Sequence, residues 1–247
     1  ILVTGPTGSG KSTTLYSILN LLNTPDRNVM TIEDPVEYQV TGITQTQVLQ
    51  EVGLTFAEGL RSLLRQSPDV ILVGEIRDGE TADIAVKSSL TGHLVFSTLH
   101  TNSACGSITR LMDMGVEPFL IASSLILAAA QRLCKKICEN CKEEYVIPEE
   151  VLSALKTDTS MLQGITPYRG RGCSVCRETG YFGRLGTLEI LTLDDEIRQM
   201  ILDMASSDAL EAVARKKGMK SLFENAFEKF RKGLTTLEEV FRITSDE

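Results

Sequence analysis

A glycine-rich segment near the start of the chain carries the residue types that bind a phosphate chain. Glycines let backbone N–H groups turn inward, Lys11 can neutralise β- and γ-phosphates, and the Ser12 hydroxyl can ligate Mg²⁺. The spacing G-x-x-x-x-G-K-S, with a predicted strand before it and a predicted helix after it, favours a nucleotide site over a glycine turn with a solvated lysine. The predicted nucleotide-binding residues are Gly5, Pro6, Thr7, Gly8, Ser9, Gly10, Lys11, Ser12 and Thr13.

A glutamate that could activate water follows the apolar segment Val70–Val73. Gly74 stands where phosphate-loop enzymes usually carry a magnesium-binding aspartate after this strand, and Glu75 stands in the place of the water-activating glutamate. We therefore predict Glu75 as the general base and expect the metal shell to come from elsewhere.

A second group of carboxylates follows the apolar segment at residues 29–32. Glu33 and Asp34 could supply, through water, the metal shell that Gly74 cannot, because parallel α/β sheets bind ligands at the carboxyl ends of their strands. We predict a catalytic role for Glu33 and a magnesium-binding role, with Ser12, for Asp34. The alternative is a capped turn before Pro35.

Both histidines of the chain flank one predicted strand, Leu94–Ser97. His100 follows the strand, where an imidazole can sense a γ-phosphate by hydrogen bonding, and it is predicted to be functional. His93 precedes the strand and is predicted to be structural.

Two cysteine pairs have the spacing of zinc knuckles. In Cys138/Cys141 and Cys173/Cys176, two residues separate the cysteines, so each pair can hold one edge of a tetrahedral zinc site. Residues 142–172 form a longer loop than is usual for a zinc ribbon, and Cys134 is near enough to compete as a ligand. Cys105 is interpreted as a buried thiol at a strand end. A disulfide is disfavoured in a reducing compartment.

The elements that position these residues form an alternating α/β pattern. It indicates a mostly parallel sheet with helices on both faces. The apolar segment 119–133 is interpreted as a core helix, and Asp194 and Ser221 as N-caps of C-terminal helices. The predicted strands are Ile1–Thr4, Val29–Ile32, Val70–Val73 and Leu94–Ser97.

Composition changes along the chain predict three parts. They are a nucleotide-binding α/β core at residues 1–134, a four-cysteine metal-binding subdomain at 135–186 and a helical subdomain at 187–247. Because the chain opens inside an apolar strand, we expect an upstream part to be missing.

Composition also excludes several classes of protein. With 42% hydrophobic and 23% charged residues, the chain is neither disordered nor collagenous. A net charge of -8 opposes broad attraction to nucleic acid or anionic membrane. The longest apolar stretch is too short to cross a bilayer, and no export signal opens the chain, so the expected location is the cytosol.

Four arginines near the acidic segments have two open interpretations. Each could reach a phosphate or a neighbouring subunit, or could form an ion pair within its own chain. They are Arg61, Arg65, Arg77 and Arg110.

Taken together, the motifs resemble those of the secretion ATPases of type II secretion and type IV pilus assembly, the GspE/PilB group. The resemblance rests on LRQSPDVILVGEIRD (64–78), TIEDPVEY (31–38) and TLHTNSA (98–104), and extends to the cysteine pairs and to GYFGRLGTLEIL (180–191). The order of the motifs is that of the family, and so is the Gly-Glu pair at positions 74 and 75.

The resemblance implies a RecA-like ATPase core that works as a homo-hexameric ring. It implies ATP and Mg²⁺ between subunits, a structural Zn²⁺ on the four cysteines, and domain rotations passed to an inner-membrane platform protein. The enzyme would be cytoplasmic, peripheral at the inner membrane through its partners. The family's trans arginine fingers lie in a preceding domain. Pilus assembly and secretion share these motifs, so the sequence does not separate them.

Three other functions are consistent with parts of the pattern. A RecA-like nucleic-acid motor is opposed by the net charge and by the lack of an aromatic and basic strip. A regulatory module that binds ATP without hydrolysing it is opposed by intact Lys11, Ser12 and Glu75. A small-molecule kinase is opposed because the sequence shows no recognisable motif for a pocket that binds a phosphate acceptor.

Overall fold

The protein is described from a computed structural model, which covers residues 1–154 and 159–244. The chain forms two compact units, residues 1–130 with 190–219 and residues 131–189 with 220–247. Among the described residues, no helix is both long and apolar enough to cross a membrane.

Most strands are short, buried and rich in β-branched or aliphatic residues, as expected of a sheet covered on both faces. Within the described ranges, seven strands hydrogen-bond in the order β3-β2-β4-β5-β1-β6-β9, and β7 pairs with β8 alone. The strands are β1 (Leu2–Thr4), β2 (Val29–Glu33), β3 (Thr44–Gln47), β4 (Val70–Val73), β5 (Leu94–Leu99), β6 (Leu127–Ile137), β7 (Lys142–Glu144), β8 (Tyr168–Gly170) and β9 (Tyr181–Thr192).

Most helices are preceded by a polar N-cap residue whose side chain accepts a hydrogen bond from a backbone N–H in the first turn. Asp78, Ser103 and Ser206 are examples. The predicted caps Asp194 and Ser221 are confirmed, and Ser221 forms a capping box with Glu224. The helices are α1 (Lys11–Leu22), α2 (Phe56–Leu64), α3 (Gly79–Leu90), α4 (Ala104–Asp113), α5 (Pro118–Ser124), α6 (Glu149–Ala154), α7 (Asp195–Leu202), α8 (Ser207–Lys216), α9 (Leu222–Arg231) and α10 (Leu237–Thr244).

The central strands of the first unit are parallel, which confirms the predicted α/β sheet. In register, Leu2 of β1 lies opposite Ser97 of β5, and Val70 of β4 lies opposite Leu94 of β5. Strand β2 pairs in parallel with β4 on one side and with β3 on the other. Because these strands run the same way, the loops that follow them emerge at one edge of the sheet.

Helix α1 is held on this sheet by apolar packing. Its Leu15, Tyr16 and Leu19 are nearly inaccessible and share one core cluster with residues of β1, β2, β4 and β5. Full burial of one such side chain contributes about 2 kcal/mol. The helix that begins at Lys11 is therefore fixed relative to the strand ends.

The segment 119–133 is not one core helix, and that prediction was wrong. Helix α5 ends at Ser124, and β6 begins at Leu127. Ala128 lies opposite Leu2 of β1, and residues 128–130 are all buried. A strand that is buried on both faces has no alternating pattern, so its apolar run resembles that of a buried helix.

The second unit has its own apolar core, formed by Cys134 on β6, Ala226 and Phe230 on α9, and residues of α10. A buried Glu239 accepts the Lys135 backbone N–H at 2.8 Å and two guanidinium hydrogen bonds from Arg242, each 2.8 Å long. These polar contacts compensate for burying a carboxylate in that core.

The two units divide the chain differently from the predicted three parts. Residues 190–219, which include the end of β9, belong to the first unit, where α7 packs against α5 and α8 packs against α4. The predicted boundaries at 134 and 186 stay a prediction.

Candidate functional site

The glycine-rich segment forms a loop between β1 and α1. Gly5, Gly8 and Gly10 have φ angles of 143°, 80° and 88°, a region that residues with a Cβ rarely adopt. The Lys11 ammonium is buried and donates to the carbonyls of Gly5 at 2.8 Å and Pro6 at 3.1 Å, so the loop curls around it. Such a loop at a helix N-terminus is an anion-binding geometry.

The other residues predicted to bind nucleotide line the same loop. Pro6, Thr7 and Gly8 are exposed at its crest, and Ser9 is buried beneath them. Ser12 and Thr13 are exposed in the first turn of α1. The Ser12 hydroxyl is thus open to a ligand that lies over the loop.

Glu75, Asp34 and His100 come together after three neighbouring strands. They follow β4, β2 and β5, at the edge of the sheet from which the glycine-rich loop follows β1. Glu75 is largely buried, with a side chain 15% exposed, and its Oε2 lies 3.5 Å from Nε2 of His100. A carboxylate beside an imidazole in this position is suited to accept a proton from water.

Arg77 joins two of these acidic groups. Its guanidinium donates to Oε1 of Glu75 at 2.5 Å and to Oδ2 of Asp34 at 3.3 Å. The hydrogen bond to Glu75 and the negative charge of Glu75 raise the pKa of Arg77 above its usual value. Of the two interpretations, the structure shows the ion pair within the chain for Arg77, and also for Arg61, which contacts Glu58 and Glu80.

Glu33 lies in the interior, with only 4% of its surface exposed. Its carboxylate accepts hydrogen bonds from the hydroxyl of Tyr16, from Oγ1 of Thr31 at 2.6 Å and from Nε2 of Gln45 at 3.2 Å. Burial and the contact with Glu33 raise the pKa of Tyr16, so this phenol keeps its proton. Both oxygens of Glu33 are therefore engaged by neutral donors inside the protein.

Gly74 allows β2 and the loop after β4 to approach closely. A Cβ at this position would lie 3.2 Å from Cα of Glu33 and 3.3 Å from the carbonyl oxygen of Ile32. The Gly74 N–H donates to that carbonyl at 2.8 Å, and its own carbonyl accepts from Thr98 at 2.8 Å. The absence of a side chain at position 74 thus lets the loop after β4 lie against Glu33, the last residue of β2.

His93 contacts the end of α3, and its structural role stays a prediction. Its Nδ1 lies 2.9 Å from the carbonyl of Ser88 and 3.1 Å from the hydroxyl of Thr91, at the end of α3. These contacts hold the turn that leads into β5.

Sequence reasoning did not single out Tyr16, Gln45 or Thr4. Tyr16 follows Ser12 by four residues, which is one helical turn, and that spacing was the available signal. Thr4 bonds the hydroxyl of Thr101 at 2.7 Å and so ties β1 to the loop that carries His100. A threonine inside a strand has no distinguishing pattern.

The four cysteines of the two pairs converge in the second unit. Their sulfur atoms all lie within 4.8 Å of one another, and three of the S···S separations are 3.6, 3.8 and 3.9 Å. A tetrahedral Zn²⁺ with Zn–S bonds of about 2.3 Å requires S···S edges of about 3.8 Å, whereas a disulfide requires about 2.05 Å. The arrangement therefore fits zinc, with Cys138, Cys141, Cys173 and Cys176 as the ligands.

Hydrogen bonds around the cluster favour thiolates at part of it. Nδ2 of Asn140 donates to Cys173 at 3.3 Å and, together with backbone donors, lowers the pKa of that thiol to about 6. Burial raises the pKa of Cys141 to about 12, so a bound cation is needed to ionise this thiol at neutral pH.

The remaining cysteines lie outside this cluster. Cys134 is on β6 with its sulfur 3.6 Å from the carbonyl of Leu185, and it is not part of the four-cysteine group in the described residues. Cys105 is buried as expected, but it lies in the first turn of α4 rather than at a strand end.

Comparison with known proteins places this geometry in a family. The family described as "Type II/IV secretion system protein" matches residues 1–242. This chain belongs to that family. Among curated relatives, it is 54% identical to the "Type IV pilus assembly ATPase PilB" of Thermus thermophilus, over 98% of this chain and 27% of the relative. It is 52% identical to "Type II secretion system protein E" of Dickeya dadantii, over 100% of this chain and 49% of the relative.

Two solved structures share the fold. The pilus retraction motor PilT superposes with a TM-score of 0.72 at 31% identity, covering 98% of this chain and 60% of PilT. The ATPase DotB of Legionella pneumophila gives 0.69 at 26% identity, covering 100% of this chain and 60% of DotB. The predicted fold, an ATPase core with a four-cysteine cluster and C-terminal helices, is confirmed. The chain spans between about a quarter and a half of the length of these curated relatives.

Proposed function

We propose that this chain is the ATP-hydrolysing part of a motor for type IV pilus assembly or type II secretion. The observation that carries the proposal is the glycine-rich loop around Lys11 at the same sheet edge as Glu75 and His100. Support comes from curated relatives that are named as a pilus assembly ATPase and as type II secretion proteins, and from a PilT structure described with bound ADP.

Each group at this edge has a role in hydrolysis. Backbone N–H groups of the loop and Lys11 hold the β- and γ-phosphates, and Ser12 with Asp34 would hold Mg²⁺, which supplies charge neutralisation when bound. Glu75 accepts the proton of the attacking water at Oε2, because Arg77 occupies Oε1. His100 lies beside that oxygen and donates to the γ-phosphate.

The working unit would be a homo-hexamer in which a neighbouring subunit completes each site. Its partner would be an inner-membrane platform protein of a pilus or secretion machine, so the enzyme would be cytoplasmic and peripheral at that membrane. The four cysteines would hold one structural Zn²⁺, since four thiolate ligands leave no coordination position open for a substrate.

The test is Mg²⁺-dependent ATP hydrolysis per chain over a wide range of protein concentration. A specific rate that rises with concentration is expected, because neighbours complete the site. Glu75→Gln is expected to bind ATP within about twofold of wild type and to lose about 10²- to 10⁴-fold in turnover. Glu80→Gln, which alters an exposed carboxylate bonded to Arg61, is the control and should keep its rate. Unchanged turnover in Glu75→Gln would exclude Glu75 as the base.

A further inference from the structure

We propose that Thr4 and Thr98 are positioning residues that fix the backbone at His100 and at Glu75, and thereby hold these two side chains in contact. The inference rests on the proposed function, since it concerns the same nucleotide site. It assigns a role to two buried hydroxyl groups that the proposed phosphate binding and proton transfer do not use.

The hydroxyl of Thr4 holds both peptide groups that flank His100. It donates to the carbonyl of Leu99 at 3.0 Å, which belongs to the peptide before His100, and the carbonyl of Thr101, at 2.9 Å, shares the same proton. It accepts the backbone N–H of Thr101 at 2.8 Å, which belongs to the peptide after His100. Because each peptide group is planar, restraining both of them restrains the two backbone torsions of His100 and so the direction of its side chain.

This restraint matters because regular strand pairing ends just before His100. Thr4 and Leu99 are the last register partners of β1 and β5. The His100 side chain is 51% exposed, so neighbouring side chains do not enclose its ring. The direction of the imidazole therefore depends on the backbone at position 100, and the Thr4 hydroxyl fixes that backbone.

Thr98 holds Glu75 in the same way from the neighbouring strand. Its hydroxyl donates to the carbonyl of Gly74 at 2.8 Å, and its own carbonyl accepts the backbone N–H of Ile76 at 3.0 Å. These two groups belong to the peptides before and after Glu75. The register pairing of β4 with β5 ends at Ser97, one residue earlier, so Thr98 continues the connection beyond the paired strands.

The two anchors account for the contact between His100 and Glu75. Nε2 of His100 lies 3.5 Å from Oε2 of Glu75, although the two residues follow different strands. Thr4 fixes one side of this contact from β1, and Thr98 fixes the other from β5. Both threonines are buried, with 0% and 5% exposed, so water does not readily replace a hydrogen bond that is lost there.

Substitutions at Thr4 test the role of its hydroxyl. Thr4→Val removes the hydroxyl but keeps the β-branched shape, whereas Thr4→Ser keeps the hydroxyl. A displacement of 1 Å costs about a hundredfold in rate, so a shift of His100 by about a third to a half of an ångström should lower kcat for Mg²⁺-dependent ATP hydrolysis about fivefold to tenfold. The KM for ATP should stay within about twofold of wild type, because Lys11 and the glycine-rich loop are unchanged. Thr4→Ser should keep kcat within about twofold of wild type.

A double variant distinguishes positioning of His100 from a general weakening of the fold. If Thr4 acts through His100, Thr4→Val should lower kcat by less than about twofold in a chain that already carries His100→Ala, because no imidazole remains to be displaced. An effect through Gly5 and the phosphate-binding loop would instead persist in the double variant and would raise the KM for ATP. All rates are compared at a protein concentration at which the specific rate of the wild-type chain is constant.

The matched control is Ser97→Ala. The Ser97 hydroxyl is also buried and donates to the carbonyl of Val73 at 2.7 Å, between the same two strands as the Thr98 hydrogen bond. Because Ser97 and Val73 are register partners, strand pairing still holds their backbone, so the variant should lower the melting temperature and leave kcat within about twofold of wild type. Thr98→Val should lower kcat about threefold, less than Thr4→Val, because the Ile76 hydrogen bond to the Thr98 backbone remains. It tests the inference from β5 should Thr4→Val fail to fold.

The outcomes separate this inference from the proposed function. A wild-type chain that shows no Mg²⁺-dependent ATP hydrolysis at any protein concentration would overturn both. Wild-type hydrolysis with an unchanged kcat in folded Thr4→Val or in Thr98→Val, even with a lowered melting temperature, would overturn the positioning role alone. A full Thr4→Val loss in the His100→Ala chain, or an equal loss in Ser97→Ala, would overturn it as well, since the effect would then not pass through His100.

Discussion

Substitutions at Gly74 test whether the site can accommodate an aspartate directly after β4. If the close approach of Glu33 requires a bare backbone at position 74, then placing the usual aspartate there should damage the site rather than repair it. We consider Gly74→Ala, which adds only the Cβ, and Gly74→Asp, which adds a carboxylate.

The magnitude follows from the space around Gly74. An added Cβ would lie 3.2 Å from Cα of Glu33 and 3.3 Å from the carbonyl oxygen of Ile32. Hydrogen bonds from Thr98 and to Ile32 pin Gly74 in place, so the end of β2 must shift by a few tenths of an ångström. Overpacking of this degree costs about 1 kcal/mol, at the lower end of its usual range. The melting temperature should fall by about 3 °C.

The ATP hydrolysis rate should also fall in both variants. The shifted residues lie directly before Asp34. A displacement of 1 Å in a reacting group lowers the rate about a hundredfold, so a displacement of a few tenths of an ångström should lower it about threefold to tenfold. In Gly74→Asp, the new carboxylate is also placed close to Glu33 and directly before Glu75, and like charges at short range disfavour one another. We therefore expect the order of rates to be wild type, then Gly74→Ala, then Gly74→Asp.

The assay is steady-state ATP hydrolysis at saturating Mg²⁺, with melting temperature measured on the same samples. Gly186→Ala is the control, because nothing lies within 4 Å of a Cβ added there and its backbone is ordinary for any residue. It should match wild type in both readouts. A Gly74→Asp variant that hydrolyses ATP at or above the wild-type rate would refute the reasoning, since an aspartate would then fit and serve at this position.

Two further predictions concern the second unit. Cys176→Ser should reduce bound zinc to below about a tenth of the wild-type content, measured by atomic absorption, whereas Cys105→Ala should keep it, because Cys105 lies outside the four-sulfur group. Burial alone would raise the pKa of Glu239, but hydrogen bonds from Arg242 and from the Lys135 backbone lower it overall. The ionised form of Glu239 therefore stabilises the fold above its unfolded pKa of about 4.3, and this stabilisation is lost as the pH falls. Arg242→Gln should therefore lower the free energy of unfolding by about 1–2 kcal/mol at pH 7, a value kept small because the Arg242 side chain is half exposed. Thermal melts should show that the difference in stability from wild type becomes smaller below about pH 4. A difference independent of pH would contradict this role of the pair.

Much of the candidate site was predictable because its signals are local. The glycine-rich loop needs a fixed spacing of glycines and lysine, and that spacing is visible in eight consecutive residues. The two Cys-x-x-Cys pairs are equally local. Strands β2, β4 and β5 were predictable because buried parallel strands are short apolar runs bounded by turn residues.

Other features depended on contacts between residues far apart in sequence. Glu33 and Glu75 both follow strands, and no pattern distinguishes a carboxylate enclosed by Tyr16 and Gln45 from one beside Arg77 and His100. The segment 119–133 was misassigned for the same reason. Its apolar residues favour burial, but only pairing of β6 with β1 makes its second half a strand.

The sequence by itself determined which chemical groups this protein possesses and roughly where along the chain they stand. Spacing alone predicts a phosphate-binding loop and a four-cysteine metal site, because the residues involved act through neighbours a few positions away. The tertiary structure decided which carboxylate lies beside Arg77 and His100, which accepts a hydrogen bond from Tyr16, and how closely Glu33 packs against Gly74. Those outcomes depend on burial and on hydrogen bonds across strands, and both arise only when the sheet has assembled.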